Sequence, residues 1–328
     1  MKAVVVRSYA SPGQLRIMDV DTPVPAADEV LVRVRATSVN PYDWHHVCGE
    51  PYIARLMPGS LGLRGPKIGI LGCDMAGQVE AVGADVTGFR PGDDVYALLS
   101  GGGFAEYVSV KQDLLAPKPV NLSYEQAAAV PMAAVSALLG LQDVGGLKPG
   151  QRVLVNGASG GVGTYAVQIA TALGATVTGV CGAKNNDLVR SLGADEVIDY
   201  RTADFTRHAK RHDLLLDIAG GRQAAACRRV LTDKGTLVLV GGPAGRWLQP
   251  VGHMIGTFAA APFVSPRIAM ADTVSCGKKK QHLQTLTGLI EDGKVIPVID
   301  RRYLFAEISA AVEYSMAGHV AGKVVVSI

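Results

Sequence analysis

The chain has 328 residues, of which 48% are hydrophobic and 19% charged, and its formal net charge is +3. This balance describes a soluble globular protein with a sizeable core and excludes a disordered chain. One short basic run, Lys278–Lys280, reads as the solvated start of a helix, so nothing marks a nucleic-acid or membrane partner. Five scattered cysteines (Cys48, Cys73, Cys181, Cys227, Cys276) without a Cys-x-x-Cys pair exclude a disulfide framework and a closed structural zinc site.

In chain order, residues 1 to about 120 read as short β-rich runs (Lys2–Val6, Val30–Val39, Gly77–Val82, Ala105–Val110) between turns such as Arg90–Asp94, with helices scarce. Alternation in Val32–Ala36 puts apolar and charged side chains on opposite faces, as in an antiparallel sheet with one wet side. Ser123-Tyr-Glu-Gln126 then reads as a capping box ahead of an Ala-rich helix. Beyond it, strands at Val153–Asn156, Thr176–Cys181, Glu196–Ile198, Leu214–Ile218 and Thr236–Val240 alternate with helices at Gly163–Leu173, Asn186–Leu192 and Gln223–Leu231. That alternation predicts a parallel sheet covered by helices on both faces. The tail reads as a helix at Gln281–Glu291, a strand at Val295–Ile299, a helix at Glu307–Ala317 and a strand at Lys323–Ser327. The apolar run Met254–Val264 is too short to span a bilayer, and Met1–Val6 lacks the long apolar core of a signal peptide. A cytoplasmic location follows by default. Within that run, Thr257–Val264 reads as an edge strand apolar enough to pair with a second copy, predicting a homodimer.

The segment Val153–Gly163 carries the most chemistry. A β-branched run feeds Gly157, Gly160, Gly161 and Gly163, and a helical pattern follows at once. Strand, glycine turn and helix in that order let the backbone approach a pyrophosphate, which the unpaired N–H groups at a helix start then hold. Ser159, Gly160, Gly161, Val162 and Gly163 are therefore the expected cofactor turn. NAD-binding units place a carboxylate roughly 20 residues beyond such a turn. Here the second strand ends Val180-Cys-Gly-Ala-Lys-Asn185, where Cys181 lines the position and Lys184 is the nearest charge. An ammonium there attracts a 2′-phosphate, so NADP(H) is expected over NAD(H), with Tyr200 in reach of the same phosphate. Taken alone, Lys184 equally suits a surface lysine at a helix start.

Further segments occur in order along the chain: Asn40-Pro-Tyr-Asp43, Leu71–Gly77, Val82-Gly83, Phe89–Val95, Gly103–Tyr107, Ala129-Val-Pro131, Leu192–Asp195, Gly241-Gly242 and Gly322–Val325. Together with the glycine turn they resemble the medium-chain dehydrogenase/reductase superfamily, in its zinc-independent quinone oxidoreductase (zeta-crystallin-like) branch. The resemblance implies an α/β fold, a Rossmann doubly wound parallel sheet (residues 123–265) inserted into a GroES-like β-rich domain (1–122 and 266–328). Its active site would be the cleft between the two. It also implies that Gly241 and Gly242 leave room for the nicotinamide half and that Lys323 reaches towards the cofactor.

Zinc-dependent relatives present a Cys ligand and a Gly-His-Glu segment. This chain has Asn40 and Gly72-Cys-Asp74 at the corresponding places. Cys73 alone falls short of the three protein ligands of a catalytic zinc, so no metal is expected and Cys73 reads as a small buried hydrophobe. Without a Lewis acid, the substrates requiring least help are quinones and α,β-unsaturated carbonyls, because conjugation delocalises charge after hydride arrives. The catalytic candidates are Asn40, Asp43, Tyr52 and His45: an amide donor, a carboxylate, a phenol and an imidazole relay. Asn40-Pro41 equally suits a turn, and Asp43 a cap for Trp44–Val47. The rival functions are a zinc-free NADP-dependent alcohol or aldehyde dehydrogenase, and an NADPH-binding protein without turnover.

Overall fold

The structure, a computed structural model, describes residues 1–57, 61–242, 245–260 and 266–328. Two compact units divide the chain, one of Met1–Met132, Cys276–Asp292 and Pro297–Ile328, the other of Ala133–Ser275 and Gly293–Ile296.

In chain order the first stretch carries β1 (Lys2–Val4), β2 (Ile17–Asp19), β3 (Glu29–Val39), α1 (Pro41–Cys48), β4 (Asp74–Val82), β5 (Asp94–Leu98), β6 (Tyr107–Lys111), β7 (Leu115–Pro117) and α2 (Tyr124–Ala128). Then follow α3 (Pro131–Leu138), β8 (Arg152–Asn156), α4 (Gly161–Ala172), β9 (Thr176–Cys181), α5 (Asn186–Ser191), β10 (Glu196–Asp199), β11 (His212–Asp217), α6 (Ala224–Cys227) and β12 (Leu231–Leu239). The chain ends with α7 (Val251–Ala260), β13 (Arg267–Met270), α8 (Lys279–Glu291), β14 (Ile299–Leu304), α9 (Ile308–Met316) and β15 (Lys323–Ser327).

In the first unit the sheet runs β14-β15-β3-β4-β5-β7, with β6 also on β3. The long strand β3 buries Val30, Val32 and Val34 against Met75, Val79 and Val95, while Arg33 faces solvent. At its end the chain turns into α1. Asn40 is the N-cap, Pro41 supplies the preset φ of a first helical residue, and the Asp43 carboxylate accepts from the Asn40 N–H. This helix, β5 and the short strands β2 and β7 are additions to the sequence reading.

The second unit is a six-stranded parallel sheet in the order β10-β9-β8-β11-β12-β13. The first strand of this sheet in sequence, β8, thus lies between β9 and β11, and the direction of winding reverses there. In open sheets of this kind, ligands bind outside the carboxyl ends of the strands at that reversal.

Three sequence expectations need correction. No strand covers Val295–Ile299; β14 starts at Ile299. Pro297 has no N–H for a ladder, and the Gln168 side chain takes both backbone groups of Ile296, at 2.8 and 3.1 Å. The edge strand expected at Thr257–Val264 is helical over Thr257–Ala260, the end of α7, and 261–264 lie outside the described residues. Short apolar runs fit a buried strand and a helix equally well by periodicity, and β13 holds the sheet edge instead. The helix expected at Gln223–Leu231 is only the four residues of α6 plus a tight turn at Arg228–Val230.

Candidate active site

The glycine turn sits where β8 ends. Gly157 takes a φ of +91°, and a β-carbon on Gly163 would stand 2.1 Å from the Gly157 carbonyl oxygen. Only glycines let the chain fold back this tightly before α4. Ser159, Gly160, Gly161 and Val162 are partly exposed at the start of that helix, their backbone available to an anion. The Asn185 side chain donates to Ser159 Oγ at 3.0 Å and ties the loop after β9 to the turn.

On that loop Lys184 is exposed. Tyr200 is 52% exposed, and its ring would meet a β-carbon on Gly182 at 3.5 Å. Lys184 and Tyr200 thus both flank the end of β9. Cys181 is buried there, its thiol 3.4 Å from Asn186 Oδ1 and pushed up to about 11, mainly by burial. It is a packing residue beside the glycine turn. Gly241 and Gly242 follow the end of β12, on the same side of the sheet as the turn.

A second cluster lies in the first unit. Asp74, fully buried on β4, takes hydrogen bonds from Ser38 Oγ, from Asn40 Nδ2 at 2.9 Å and from the Met132 N–H at 2.7 Å. The ammonium of Lys323, 4% exposed, stands 3.2 Å from the same carboxylate and 2.5 Å from Asn40 Oδ1. Asp43 is bound by the N–H groups of Asn40 at 2.8 Å and Gly72 at 3.1 Å, and by the Cys73 thiol at 3.4 Å. Burial pushes Asp43 up to about 6, and it raises the Cys73 thiol well above its ordinary value, with Asp43 and Asp74 adding to that rise.

Of the catalytic candidates, Asn40 and Asp43 therefore come together with Lys323. Lys323, expected to extend towards a cofactor, is held by Asp74 and Asn40 within the first unit. His45, on α1, bonds Glu50 O through Nδ1, and burial lowers it to about 4, so it is a neutral ring at neutral pH and poorly suited to relay protons. Tyr52 lies on the turn Tyr52–Leu56, with the Arg55 guanidinium 4.7 Å above its ring. Among the described residues no group of three or more His, Cys, Asp or Glu side chains is arranged to hold a metal ion. At the Cys73 position, the Lys323 ammonium already occupies the cation's place beside Asp74.

Sequence reasoning missed Asp74 as a partner and missed His253 altogether. Asp74 opens a strand whose next residues, Met75–Gly77, are buried and apolar, a setting in which a carboxylate requires a cation or several donors. His253 carries no sequence signal, since its importance depends on lying 3.6 Å from Asp217.

A parallel sheet wound 3-2-1-4-5-6 with a glycine turn at its reversal, in a chain whose other unit is built on a mainly antiparallel sheet, is the architecture of a nicotinamide-dependent dehydrogenase/reductase. Residues 26–120 match the alcohol dehydrogenase GroES-like domain and residues 192–326 the zinc-binding dehydrogenase family. The chain is 34% identical to the chloroplast envelope quinone oxidoreductase homolog of Arabidopsis thaliana, over 99% of this chain and 98% of that protein. It is 32% identical to 2-methylene-furan-3-one reductase of Solanum lycopersicum, over 99% of this chain and 79% of that protein. A mycobacterial structure complexed with NADPH superposes with a TM-score of 0.83 at 27% identity, each chain covered in full. The chain belongs to the medium-chain dehydrogenase/reductase superfamily, in its quinone oxidoreductase branch, and is an oxidoreductase using a nicotinamide cofactor.

Proposed function

We propose that this protein reduces quinones or α,β-unsaturated carbonyls with NADPH and without zinc. The observation that carries the reading is the glycine turn at the β8 reversal, followed after β9 by exposed Lys184 with no carboxylate between Cys181 and Asn186. The ammonium favours a cofactor bearing a 2′-phosphate. The relatives named for quinone and enone-type reduction support the substrate class.

The residues that would hold NADPH are Ser159–Gly163 at the pyrophosphate, Lys184 and Tyr200 at the 2′-phosphate, and Gly241-Gly242 beside the nicotinamide. When bound, the cofactor supplies the hydride. The chain's own part is to orient the acceptor and donate hydrogen bonds to its developing oxyanion. Asn40 and Asp43 are proposed as positioning residues, Tyr52 as a donor from the turn after α1, and His45 as a lining group. The donor set speaks against zinc. Asp74 is already neutralised by Lys323, and Asp43 is engaged by two backbone N–H groups.

A homodimer in the cytoplasm completes the proposal. The support for pairing is now β13, which leaves an unpaired strand edge among the described residues. No helix among the described residues is long and apolar enough to cross a membrane. Light scattering tests the dimer, and fractionation tests the location.

The deciding experiment presents quinones, enones and simple alcohols with NADPH/NADP and NADH/NAD under one assay, alongside metal analysis of the purified protein. Fastest turnover of quinones or enones with NADPH, with no stoichiometric zinc, is the expected result. Faster oxidation of simple alcohols would identify an alcohol dehydrogenase instead, and tight NADPH binding without consumption a binding protein.

A further inference from the structure

Asp217 ends β11, in register with Asn156 at the end of β8, so it lies at the reversal of the sheet. One of its carboxylate oxygens, Oδ1, accepts from Asn156 Nδ2 at 2.7 Å and from the Gly220 N–H at 2.9 Å. The other, Oδ2, is buried and makes no hydrogen bond. Facing it at 3.6 Å is Nε2 of His253 on α7, also buried and also without a hydrogen bond. Two orphaned buried polar atoms aimed at one another are uncommon, because each loses its water for nothing unless the pair has a task.

The geometry points to His253 as the proton donor of the reaction proposed above, held in position by Asp217; the inference rests on that reading. A carboxylate opposite Nε2 calls for the proton on Nε2 and leaves Nδ1 to exchange protons, as in other carboxylate–imidazole pairs. The His253 side chain is 11% exposed while Nε2 is buried, so its open surface belongs to its other atoms. Position agrees with the task. A β-carbon on Gly242 would stand 3.7 Å from His253 Cδ2, so the ring lies beside the glycine pair that follows β12. Gln249 Oε1 accepts from the His253 N–H at 2.9 Å and fixes the start of α7. Among the described residues, Cys227 on α6, which packs against α7, also acts with Asp217; burial, then Asp217, pushes its thiol up to about 12, with Arg222 opposing and Asp204 adding to the rise.

The chemistry balances without a further reagent. Hydride adds to the β-carbon of an enone, and the C=C electron pair moves to form the enolate. The enolate α-carbon takes the proton from Nδ1, the N–H bond pair stays on nitrogen, and the neutral ring keeps its Nε2–H towards Asp217. Solvent then returns a proton to Nδ1. A quinone needs this donor less, because a phenolate oxygen takes its proton from water readily, whereas carbon protonation is slow.

The test compares wild type with His253→Gln and Asp217→Asn, using NADPH with one enone and one quinone in D2O. His253→Gln is expected to lower enone kcat by about 100-fold or more, the scale of general acid catalysis. Quinone turnover should fall far less, and NADPH affinity by calorimetry should be unchanged. Deuterium at the product α-carbon should pass from one face to both. Asp217→Asn should show the same pattern in weaker form. Unchanged enone kcat with single-face deuteration in His253→Gln would overturn the assignment. So would loss of NADPH binding in both variants, which would make the pair a structural latch. Wild type inactive on every acceptor would instead bring down the proposed function, and this inference with it.

Discussion

Lys323 and Asp74, 249 residues apart in sequence, meet as a buried ion pair at 3.2 Å. The lysine is the first residue of β15 and the aspartate the first of β4, and the two strands flank β3, which delivers Ser38 and ends next to Asn40. One sheet therefore brings a cation, a carboxylate, a hydroxyl and an amide to a single point.

Removing one partner strands the other. Lys323→Met is expected to destabilise the protein by about 3–5 kcal/mol, the usual cost of leaving a buried charge uncompensated. The double variant Lys323→Met/Asp74→Asn should recover a substantial part of that loss. Urea unfolding of the three proteins checks both statements.

Asp43 links folding to pH. Its folded value of about 6 lies above the ordinary 3.8, so the native state holds this proton more tightly than the unfolded chain. Its contribution is full below about pH 4 and is lost as pH rises through about 6, roughly 3 kcal/mol in all. Asp43→Asn should remove that slope, read as the difference between the two stability–pH curves.

His212 acts in the opposite sense. Buried between Val230 O at 3.2 Å and Thr178 Oγ1 at 3.1 Å, it is lowered to about 4, chiefly by burial. Its contribution is present above about pH 6.5 and is lost as pH falls towards 4, roughly 2–3 kcal/mol. Acid unfolding of His212→Gln should show a shallower slope in that window than wild type.

The turn offers a direct test of cofactor binding. In Gly163→Ala the new methyl would sit 2.1 Å from Gly157 O and 2.7 Å from Ala158. Backbone has to move, at a cost of about 1–3 kcal/mol. NADPH affinity by calorimetry should fall at least about tenfold, the equivalent of 1.4 kcal/mol.

Cofactor choice is the remaining prediction. Lys184→Asp replaces attraction for a 2′-phosphate by repulsion. The ratio of NADPH to NADH affinity should drop by about tenfold or more, an electrostatic change on the order of 1–2 kcal/mol. An unchanged ratio would remove Lys184 from the site.

Much of the second unit was legible before folding. Gly157 and Gly163 announce themselves because a positive φ and a close backbone approach are demands only glycine meets. The strands β8 and β9 fall where β-branched runs predict them. The reading failed at Val295–Ile299 and Thr257–Ala260, where a side chain of α4 claimed the backbone in one case and an apolar run suited two periods in the other. Helix α1 was missed because eight residues with three polar side chains show little periodicity, although Asn40-Pro41 carried its start signal.

By itself, then, the amino-acid order determined the alternation of strand and helix, the glycine turn and the lack of a carboxylate between Cys181 and Asn186. Each depends on neighbours within a few positions and on backbone geometry that residue type alone dictates. Only the folded chain decided that Lys323 serves Asp74, that burial lifts Asp43 above the ordinary carboxylate range, and that His253 faces Asp217. A charged group's behaviour follows from what surrounds it in space, and strand order, not sequence distance, selects those surroundings.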